Sequence, residues 1–220
     1  MNKFKLALVS AAAAALLVPA AAQAQLSFNI GAVSLYKSSG IDQEGVNKNW
    51  RPALQGGVDY DFGNGFYVGN WNSTGKFVDA NVEIDLYGGY RGEITKGLGY
   101  DLGLVRYVYP GQGSFNGNEA VMSLSYAEYS MKYARMISGG SKDNSRFSLG
   151  YTRPLTDKMT LRAGLGFRNN KGPDDYSIGV SYDLGNALSA SATLSGATGK
   201  DKVTDGSRDN RLVFGVSKSF

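Results

Sequence analysis

The chain has 220 residues, among them 30 Gly, 14 Tyr, 10 Phe and 2 Trp, and carries a formal net charge of +4. It contains no Cys, which excludes disulfides, thiol nucleophiles and thiolate metal sites. It also contains no His, which excludes the Ser-His-Asp triad and imidazole ligands. The length fits one domain. We therefore expect no enzymatic activity and predict no catalytic residue, no metal site and no cofactor.

The first 24 residues have the pattern of a secretory signal peptide. Lys3 and Lys5 precede an apolar run from Leu6 to Val18, and Ala22-Gln23-Ala24 is a small-x-small cleavage site. An uncleaved anchor is the alternative, but the run is shorter than the roughly 20 residues that span a bilayer. Cleavage removes two lysines and lowers the formal charge from +4 to +2. No basic stripe remains, so we predict no nucleic acid partner.

After Gln25, apolar and polar side chains alternate with a period of two in one segment after another. Strict alternation indicates β-strands, and no later stretch of about 18 apolar residues predicts a membrane helix. In the clearest segment, Val82, Ile84 and Leu86 alternate with Asn81, Glu83 and Asp85. Twelve such segments begin near residues 26, 53, 66, 81, 97, 119, 128, 146, 159, 175, 187 and 210.

The connections between these segments alternate in length. Short turns are predicted at 62–65, 91–96, near 127, at 154–158 and at 184–187. Longer polar loops are predicted at 37–51, 73–80, 110–118, 137–145, 169–174 and 199–209. An even number of antiparallel strands with short turns at one end and long loops at the other is typical of outer-membrane barrels. We predict an all-β, transmembrane, antiparallel up-and-down β-barrel of about 12 strands over residues 25–220, with both termini on the short-turn, periplasmic side.

A soluble periplasmic β protein would also alternate, so the period alone leaves this alternative open. Three features favour the membrane barrel: polar faces rich in Gly, Ser and charge, an alternating strand that ends on an aromatic residue, and aromatic residues near strand ends, where interfacial girdles lie. The aromatic residues are Tyr60, Phe62, Phe66, Tyr90, Tyr107, Tyr109, Phe167 and Tyr182. Because a bilayer does not tolerate open sheet edges, we also predict that the first and last strands pair.

If the apolar face contacts lipid, the polar face lines the lumen. The predicted acidic pore-lining residues are Asp59, Asp61, Glu83, Asp85 and Asp101 on the second, fourth and fifth strands. The predicted basic pore-lining residues are Arg146, Arg162, Arg168 and Arg211 on the eighth, ninth and twelfth strands. Separated charges of opposite sign would create a transverse field that orients polar solutes and excludes apolar ones. Alternatively, the same charges meet as ion pairs and close the lumen.

Two acidic loop motifs do not predict a metal site. The loop 199–210 contains Asp201, Asp205 and Asp209, but its spacing does not match an EF-hand and its lysines oppose a cation. Asp174-Asp175 is similarly interpreted as a turn.

Several stretches of the sequence resemble one known family. They are RPALQGGVDY at 51–60 with GFYVG at 65–69, EIDLYGGY at 83–90 with Gly92-Glu93, GLGYDLG at 97–103 with Tyr109-Pro110-Gly111, and GVSYDLG at 179–185. These stretches are similar to TorF-type porins, also described as Gcw_chp proteins of unknown function. The resemblance covers most of the chain after Gln25, although 36–41 departs from the family's more arginine-rich pattern. It implies a Gram-negative outer-membrane location and a pore-like role.

The last residues resemble the signal that is read during outer-membrane assembly. Phe214, Val216 and Phe220 carry this resemblance, whereas Lys218 stands where an apolar residue is common. The implied partners are the assembly machinery, outer-membrane lipids and lipopolysaccharide. The predicted function is passive diffusion of small hydrophilic solutes through a channel. The alternative is a closed barrel with a structural or surface-binding role.

Overall fold

The structure is a computed structural model that describes residues 24–43, 51–169, 174–198 and 209–220. The predicted signal peptide lies outside these residues except for Ala24. Parts of the predicted loops 37–51, 169–174 and 199–209 also lie outside them, as do Asp201 and Asp205. Within the ranges described, no helix is both long and apolar enough to span a membrane.

In the described part of the chain, twelve strands form a closed antiparallel barrel, and two short strands form a separate hairpin. In chain order the strands are β1 (Gln25–Val33), β2 (Lys37–Ser38), β3 (Ile41–Asp42), β4 (Ala53–Asp61), β5 (Phe66–Phe77), β6 (Ala80–Thr95), β7 (Leu98–Val108), β8 (Gly117–Tyr126), β9 (Tyr129–Gly139), β10 (Ser145–Pro154), β11 (Met159–Arg168), β12 (Asp175–Gly185), β13 (Leu188–Ala197) and β14 (Arg211–Ser219). β2 and β3 form the hairpin. The predicted twelve-stranded barrel is confirmed, and each predicted start lies within about two residues of an observed start.

The first and last strands close the sheet. β1 pairs with β14, so that Asn29 lies opposite Ser219 and Val33 lies opposite Gly215. The backbone N–H of Phe220 also donates to the carbonyl of Phe28 at 2.9 Å. The predicted pairing is confirmed, and the barrel has no open edge that lipid would leave unsatisfied.

Two predicted connections are wrong because strand pairing continues through them. The predicted turn 91–96 is mostly strand, since β6 continues to Thr95 and Arg91 pairs with Asp101 on β7. The predicted loop 73–80 is also mostly strand, since β5 continues to Phe77, which lies opposite Ala80. Both stretches contain Gly and polar residues, but backbone hydrogen bonds to the neighbouring strand do not depend on side-chain polarity.

The barrel has an apolar exterior and a polar interior. On the outside, Leu86 and Leu102 are 49% and 48% exposed, whereas Glu83 and Asp175 on the inside are only 5% and 8% exposed. A soluble barrel would show the opposite orientation, with apolar side chains at its centre. The alternation therefore gives a transmembrane barrel with an apolar band facing outward.

Aromatic side chains pack together outside the barrel at the end that carries the short turns, which we call the short-turn end. The ring pairs Tyr60–Phe62 and Phe66–Tyr90 both have centroids 4.8 Å apart. Such a girdle is expected at a membrane interface. Tyr107 and Tyr109 do not belong to a girdle, contrary to prediction, because they point into the barrel and donate to Glu119 and Glu83.

Candidate functional site

Carboxylates face the interior on four strands of one part of the ring. The acidic wall comprises Asp59, Asp61, Glu83, Asp85, Asp101 and Glu119, on β4, β6, β7 and β8. The first five of these residues are the acidic positions predicted from the sequence. Glu119 was missed, although it shares the inward phase of its strand.

Tyrosine hydroxyls hold most of these carboxylates in place. Tyr87 donates to Asp59 at 2.5 Å, and Tyr67 donates to Asp101 at 2.7 Å. Hydrogen bonds to a charged acceptor are among the stronger ones in proteins. These tyrosines are interior residues in addition to the predicted ones, and they follow the same two-residue period as the carboxylates.

Two glycines make room for these tyrosines. Tyr67 on β5 reaches Asp101 on β7 by crossing Gly89 on β6, where a Cβ would lie 2.6 Å from the Tyr67 hydroxyl. In the opposite direction, Tyr87 crosses Gly69 to reach Asp59, and a Cβ at Gly69 would collide with its ring. A strand glycine that allows such close approach is a recognised structural device.

Glu83 is the most deeply buried member of the acidic wall. Its Oε1 accepts from Tyr36 at 2.7 Å, and its Oε2 accepts from Tyr109 at 2.6 Å. Burial raises the pKa of both tyrosine hydroxyls above the ordinary value, and the nearby negative charge of Glu83 raises it further. Both hydroxyls therefore remain protonated at neutral pH and act as donors. The adjacent Asp85 has a buried Oδ1 without a hydrogen-bond partner among the described residues.

At the short-turn end, Asp61 forms an ion pair with Arg91. The guanidinium of Arg91 also lies 4.9 Å from the centroid of the Tyr67 ring, which is within the range of a cation–π contact. Arg91 was predicted to lie in a turn. Its position in β6 instead places a cation within the acidic region.

Cations face the interior on the other side of the barrel. The basic wall comprises Lys132 on β9, Arg146 on β10, and Arg162 and Arg168 on β11. Arg146 and Arg168 lie directly opposite each other in the strand register. Lys132 was missed by the sequence analysis, although it too follows the inward phase.

One carboxylate holds one member of the basic wall. Asp175 accepts from Arg146 at both oxygens, at 2.8 Å from Nε and 2.6 Å from Nη2. Arg146 crosses Gly166 on β11 to reach it, and a Cβ at Gly166 would collide with the guanidinium. The interpretation of Asp175 as a turn residue is therefore wrong, because it begins β12 and is buried.

The other cations of the basic wall have no such partner. In the parts of the chain that the structure describes, the side chains of Lys132, Arg162 and Arg168 make no hydrogen bond or ion pair. Nε of Arg168 is buried. These three positive charges are therefore not neutralised by an ion pair with any described residue.

The strand order places β4–β7 across the ring from β10–β13. Asp59 and Asp61 on β4 thus lie across the ring from Arg146 on β10, whereas the two walls meet where β8, with Glu119, pairs with β9, with Lys132. Arg211 does not join the basic wall, because β14 lies next to β1. Its guanidinium lies 3.6 Å from Asp42 and 3.1 Å from Asp209.

The β2–β3 hairpin folds into the barrel, although its sequence predicts part of a long polar loop. Tyr36 is 5% exposed and packs against Trp71 at a ring-centroid distance of 5.7 Å. Lys37 and Asp42 form a 2.5 Å ion pair in which both side chains are 3% exposed. Burial lowers the pKa of Lys37, and the negative charge of Asp42 opposes this effect. An apolar cluster and an ion pair thus lie inside a mostly polar interior.

Among the described residues, no group of three or more Asp, Glu, His or Cys side chains could hold a metal ion. Apart from Asp85, the carboxylates of the acidic wall are instead bound by tyrosine or arginine. The geometry offers hydrogen bonds and fixed charges, which can orient a polar solute.

Solved structures show where the same fold occurs. The KdgM porin matches with a TM-score of 0.64 and 12% identity, over 88% of this chain and 99% of that chain. The same porin in complex with disordered oligogalacturonate matches with a TM-score of 0.64 and 11% identity, over the same shares of the two chains. The NanC porin matches with a TM-score of 0.57 and 11% identity, again over 88% and 99%. At these identities the likeness shows a shared barrel fold.

No curated protein matches the chain by sequence. A family model does match it, and its description is "Bacterial protein of unknown function (Gcw_chp)". The match extends over residues 18–220, which is nearly the whole chain. The resemblance noted in the sequence is thereby confirmed, and the chain belongs to the Gcw_chp family.

Proposed function

We propose that this protein is an outer-membrane channel through which small hydrophilic solutes diffuse passively. The observation that carries the proposal is the pair of oppositely charged walls inside a barrel with an apolar exterior. A bilayer solvates the exterior, and the charged interior favours polar over apolar solutes. In this role the protein acts as a channel and not as an enzyme, and the solute passes through chemically unchanged.

The proposed pore-lining residues are those of the two walls. A transverse field between them orients solutes that carry a dipole or charges of both signs. The alternative of a lumen closed by ion pairs across the barrel finds no support in the contacts. Within the described ranges, every ion pair joins residues of one side or involves the hairpin, and none joins the acidic wall to the basic wall.

The fold neighbours support the proposal. The KdgM porin has been solved in complex with disordered oligogalacturonate, so one barrel of this fold binds a hydrophilic solute. Twelve strands lie between the small barrels that side chains fill and the wide barrels of 16 or more strands that leave a channel. The glycines and serines on the inward faces of β10–β14 favour open space on that side.

Single-channel recording in planar bilayers tests the proposal. The protein is purified, refolded in detergent and checked for the heat-dependent gel migration of a folded barrel. Discrete ohmic steps from folded protein are the expected result. Silence from protein shown to be folded would overturn the proposal and favour the closed barrel that acts through its loops.

We further propose that the chain is exported through the inner membrane with cleavage after residue 24. Phe214, Val216 and Phe220 then form the signal for the outer-membrane assembly machinery, and lipids and lipopolysaccharide surround the barrel. Phe214 and Val216 point outward at 48% and 45% exposure, and Phe220 is 68% exposed. Phe220→Ala should reduce the amount of protein in the outer-membrane fraction. Detergent-free solubility of the processed wild-type protein would contradict the location.

A further inference from the structure

The connection after β1 turns into the barrel at the end opposite the short turns, which we call the long-loop end. Leu35 and Tyr36 are 4% and 5% exposed, and Asp42 is 3% exposed. A surface loop would expose such a segment to water. The hairpin of residues 37–42 is therefore part of the interior.

The base of the hairpin is attached to β5 and β6. Tyr36 packs against Trp71 and Phe77 of β5, with ring centroids 5.7 and 6.5 Å away. Its hydroxyl donates to Glu83 of β6. The N–H of Lys76 also donates to the carbonyl of Gln43 at 2.8 Å. These contacts combine apolar burial with hydrogen bonds to a buried carboxylate.

The tip of the hairpin lies against β13. The turn residues Ser39 and Gly40 have φ values of 46° and 74°, which is the left-handed region that a tight hairpin turn requires. A Cβ at Gly40 would lie 2.8 Å from Cβ of Ala197 on β13. The hairpin thus touches strands on both sides of β1.

The hairpin consequently crosses one sector of the ring. Three strands, β4, β1 and β14, lie between β5 and β13 in the closed sheet. The hairpin lies inside these strands at the long-loop end, where Val33 of β1 packs against its apolar cluster. The free cross-section at this level is therefore displaced toward β7–β12, the part of the ring that includes the basic wall on β9–β11.

Asp42 ties the hairpin to the barrel wall. Its carboxylate is 2.5 Å from Nζ of Lys37 within the hairpin and 3.6 Å from Nε of Arg211 on β14. Removing one partner of a buried ion pair is strongly destabilising because the remaining charge stays buried. Loss of this carboxylate should therefore weaken the inward position of the hairpin more than it weakens the barrel, whose strands are held by backbone hydrogen bonds.

We infer that the hairpin Lys37–Asp42 forms the constriction of the channel and that Asp42 is the residue that holds it in place. Solutes pass between the hairpin and the basic wall, so the hairpin sets the size limit. This inference rests on the proposed channel function.

The test compares three variants of the full chain in planar bilayers. In the first variant, residues 37–42 are replaced by two glycines. In the second, Asp42→Asn keeps the hairpin but removes the negative charge of Asp42. The matched control is Asp143→Asn, because Asp143 forms a 3.0 Å ion pair with Arg135 at the same end of the barrel but is 65% exposed. Heat-dependent gel migration shows whether each variant folds. If the shortened variant does not fold, the comparison of Asp42→Asn with wild type tests the inference.

We expect the shortened variant to raise single-channel conductance about twofold and to admit larger neutral polymers. Asp42→Asn should act in the same direction with a smaller effect, and Asp143→Asn should conduct like wild type. A silent wild type with a conducting shortened variant would overturn both the open channel and the constriction, because the hairpin would then be a plug. If wild type conducts and neither hairpin variant changes conductance or size limit, the inference fails and the channel function stands. If wild type and variants are all folded and silent, both fail.

Discussion

The acidic and basic walls hold their charges in different ways. In the acidic wall, Tyr67, Tyr87, Tyr107 and the pair Tyr36 and Tyr109 each donate to a carboxylate. In the basic wall, Asp175 pairs with Arg146, while the other three cations have no hydrogen bond or ion pair with any described residue. The acidic wall therefore has fixed positions, whereas the basic wall presents charges that can meet a solute.

The neighbouring residues explain this difference. The acidic wall lies among tyrosines, whose rings cover glycines on adjacent strands. The strands beside the basic wall contribute small inward residues such as Gly164, Ser177 and Gly179, which cannot reach a guanidinium. An unpaired cation is costly in a dry interior but tolerable in a wet one. The basic wall is thus where substitutions should alter permeation most.

The largest effect should come from removing two unpaired cations. Arg162→Gln combined with Arg168→Gln should shift the reversal potential in a salt gradient toward cation selectivity, because positive charge disappears while the acidic wall remains. The control is Arg135→Gln, which makes the same change on the outside, where its side chain is 53% exposed. Equal reversal potentials in the double variant and wild type would refute the placement of the basic wall along the conducting path.

A smaller effect should follow from blocking the path of Arg146 to Asp175. Gly166→Ala places a Cβ where the guanidinium lies, so the Arg146 side chain has to shift, and we expect this shift to weaken its bidentate contact with Asp175. We expect a loss of about 1–3 kcal/mol in unfolding free energy, the range for hydrogen bonds to charged groups, and a shift toward anion selectivity. Gly164→Ala is the control, because its Cβ would lie 3.2 Å from Oγ of Ser177 and requires only a small shift. Equal stability of the two variants would contradict this role for Gly166.

Removing hydroxyls from the acidic wall should have a weaker effect. Tyr67→Phe and Tyr87→Phe keep the rings over their glycines but leave Asp101 and Asp59 without these donors. Water can replace the donors in a wet interior, so we expect a cost of about 1 kcal/mol for each variant in denaturant unfolding. The number of charges is unchanged, so selectivity should move less than in the arginine variants. Tyr126→Phe is the control, because Tyr126 is 60% exposed and the change should leave stability unaltered. If Tyr67→Phe or Tyr87→Phe shifts selectivity more than the arginine variants do, the acidic wall affects permeation more than the basic wall.

The smallest effect is expected at the short-turn end. Arg91 and Asp61 form an ion pair in which the side chains are 27% and 33% exposed. Such partly solvated pairs contribute about 0–1 kcal/mol. Arg91→Gln should therefore leave the unfolding midpoint nearly unchanged and move selectivity slightly toward cations. A collapse of stability would show that Arg91 supports the acidic wall through its contact with Tyr67.

The strand pattern predicted the barrel well because alternation reflects the two different environments of its faces. Leu86 and Asp85 differ in polarity since one meets lipid and the other meets the interior. The ends of strands were harder to predict. At 73–80 and 91–96 the side chains resemble loops, yet the backbone pairing extends through them.

The charged interior was predicted in part. The two-residue period predicts that Glu83 and Arg162 point inward, but it does not predict that Glu83 accepts two hydrogen bonds while Arg162 has no partner among the described residues. Arg211 was grouped with the basic wall even though barrel closure places its strand beside β1. The hairpin was not predicted because a polar loop and an inward-folded segment have similar composition, and the few apolar residues here, such as Leu35, Tyr36 and Ile41, do not follow a strand period.

The pairing of β1 with β14 also governs how the barrel can be built. Each hairpin of neighbouring strands can form from local contacts, but β1 keeps one unpaired edge until β14 arrives from the far end of the sequence. During that interval the unfinished sheet presents two edges to any strand nearby, which invites aggregation. Pairing of β1 with β14 removes both of these edges at once, so the complete ring offers no edge to a neighbouring strand.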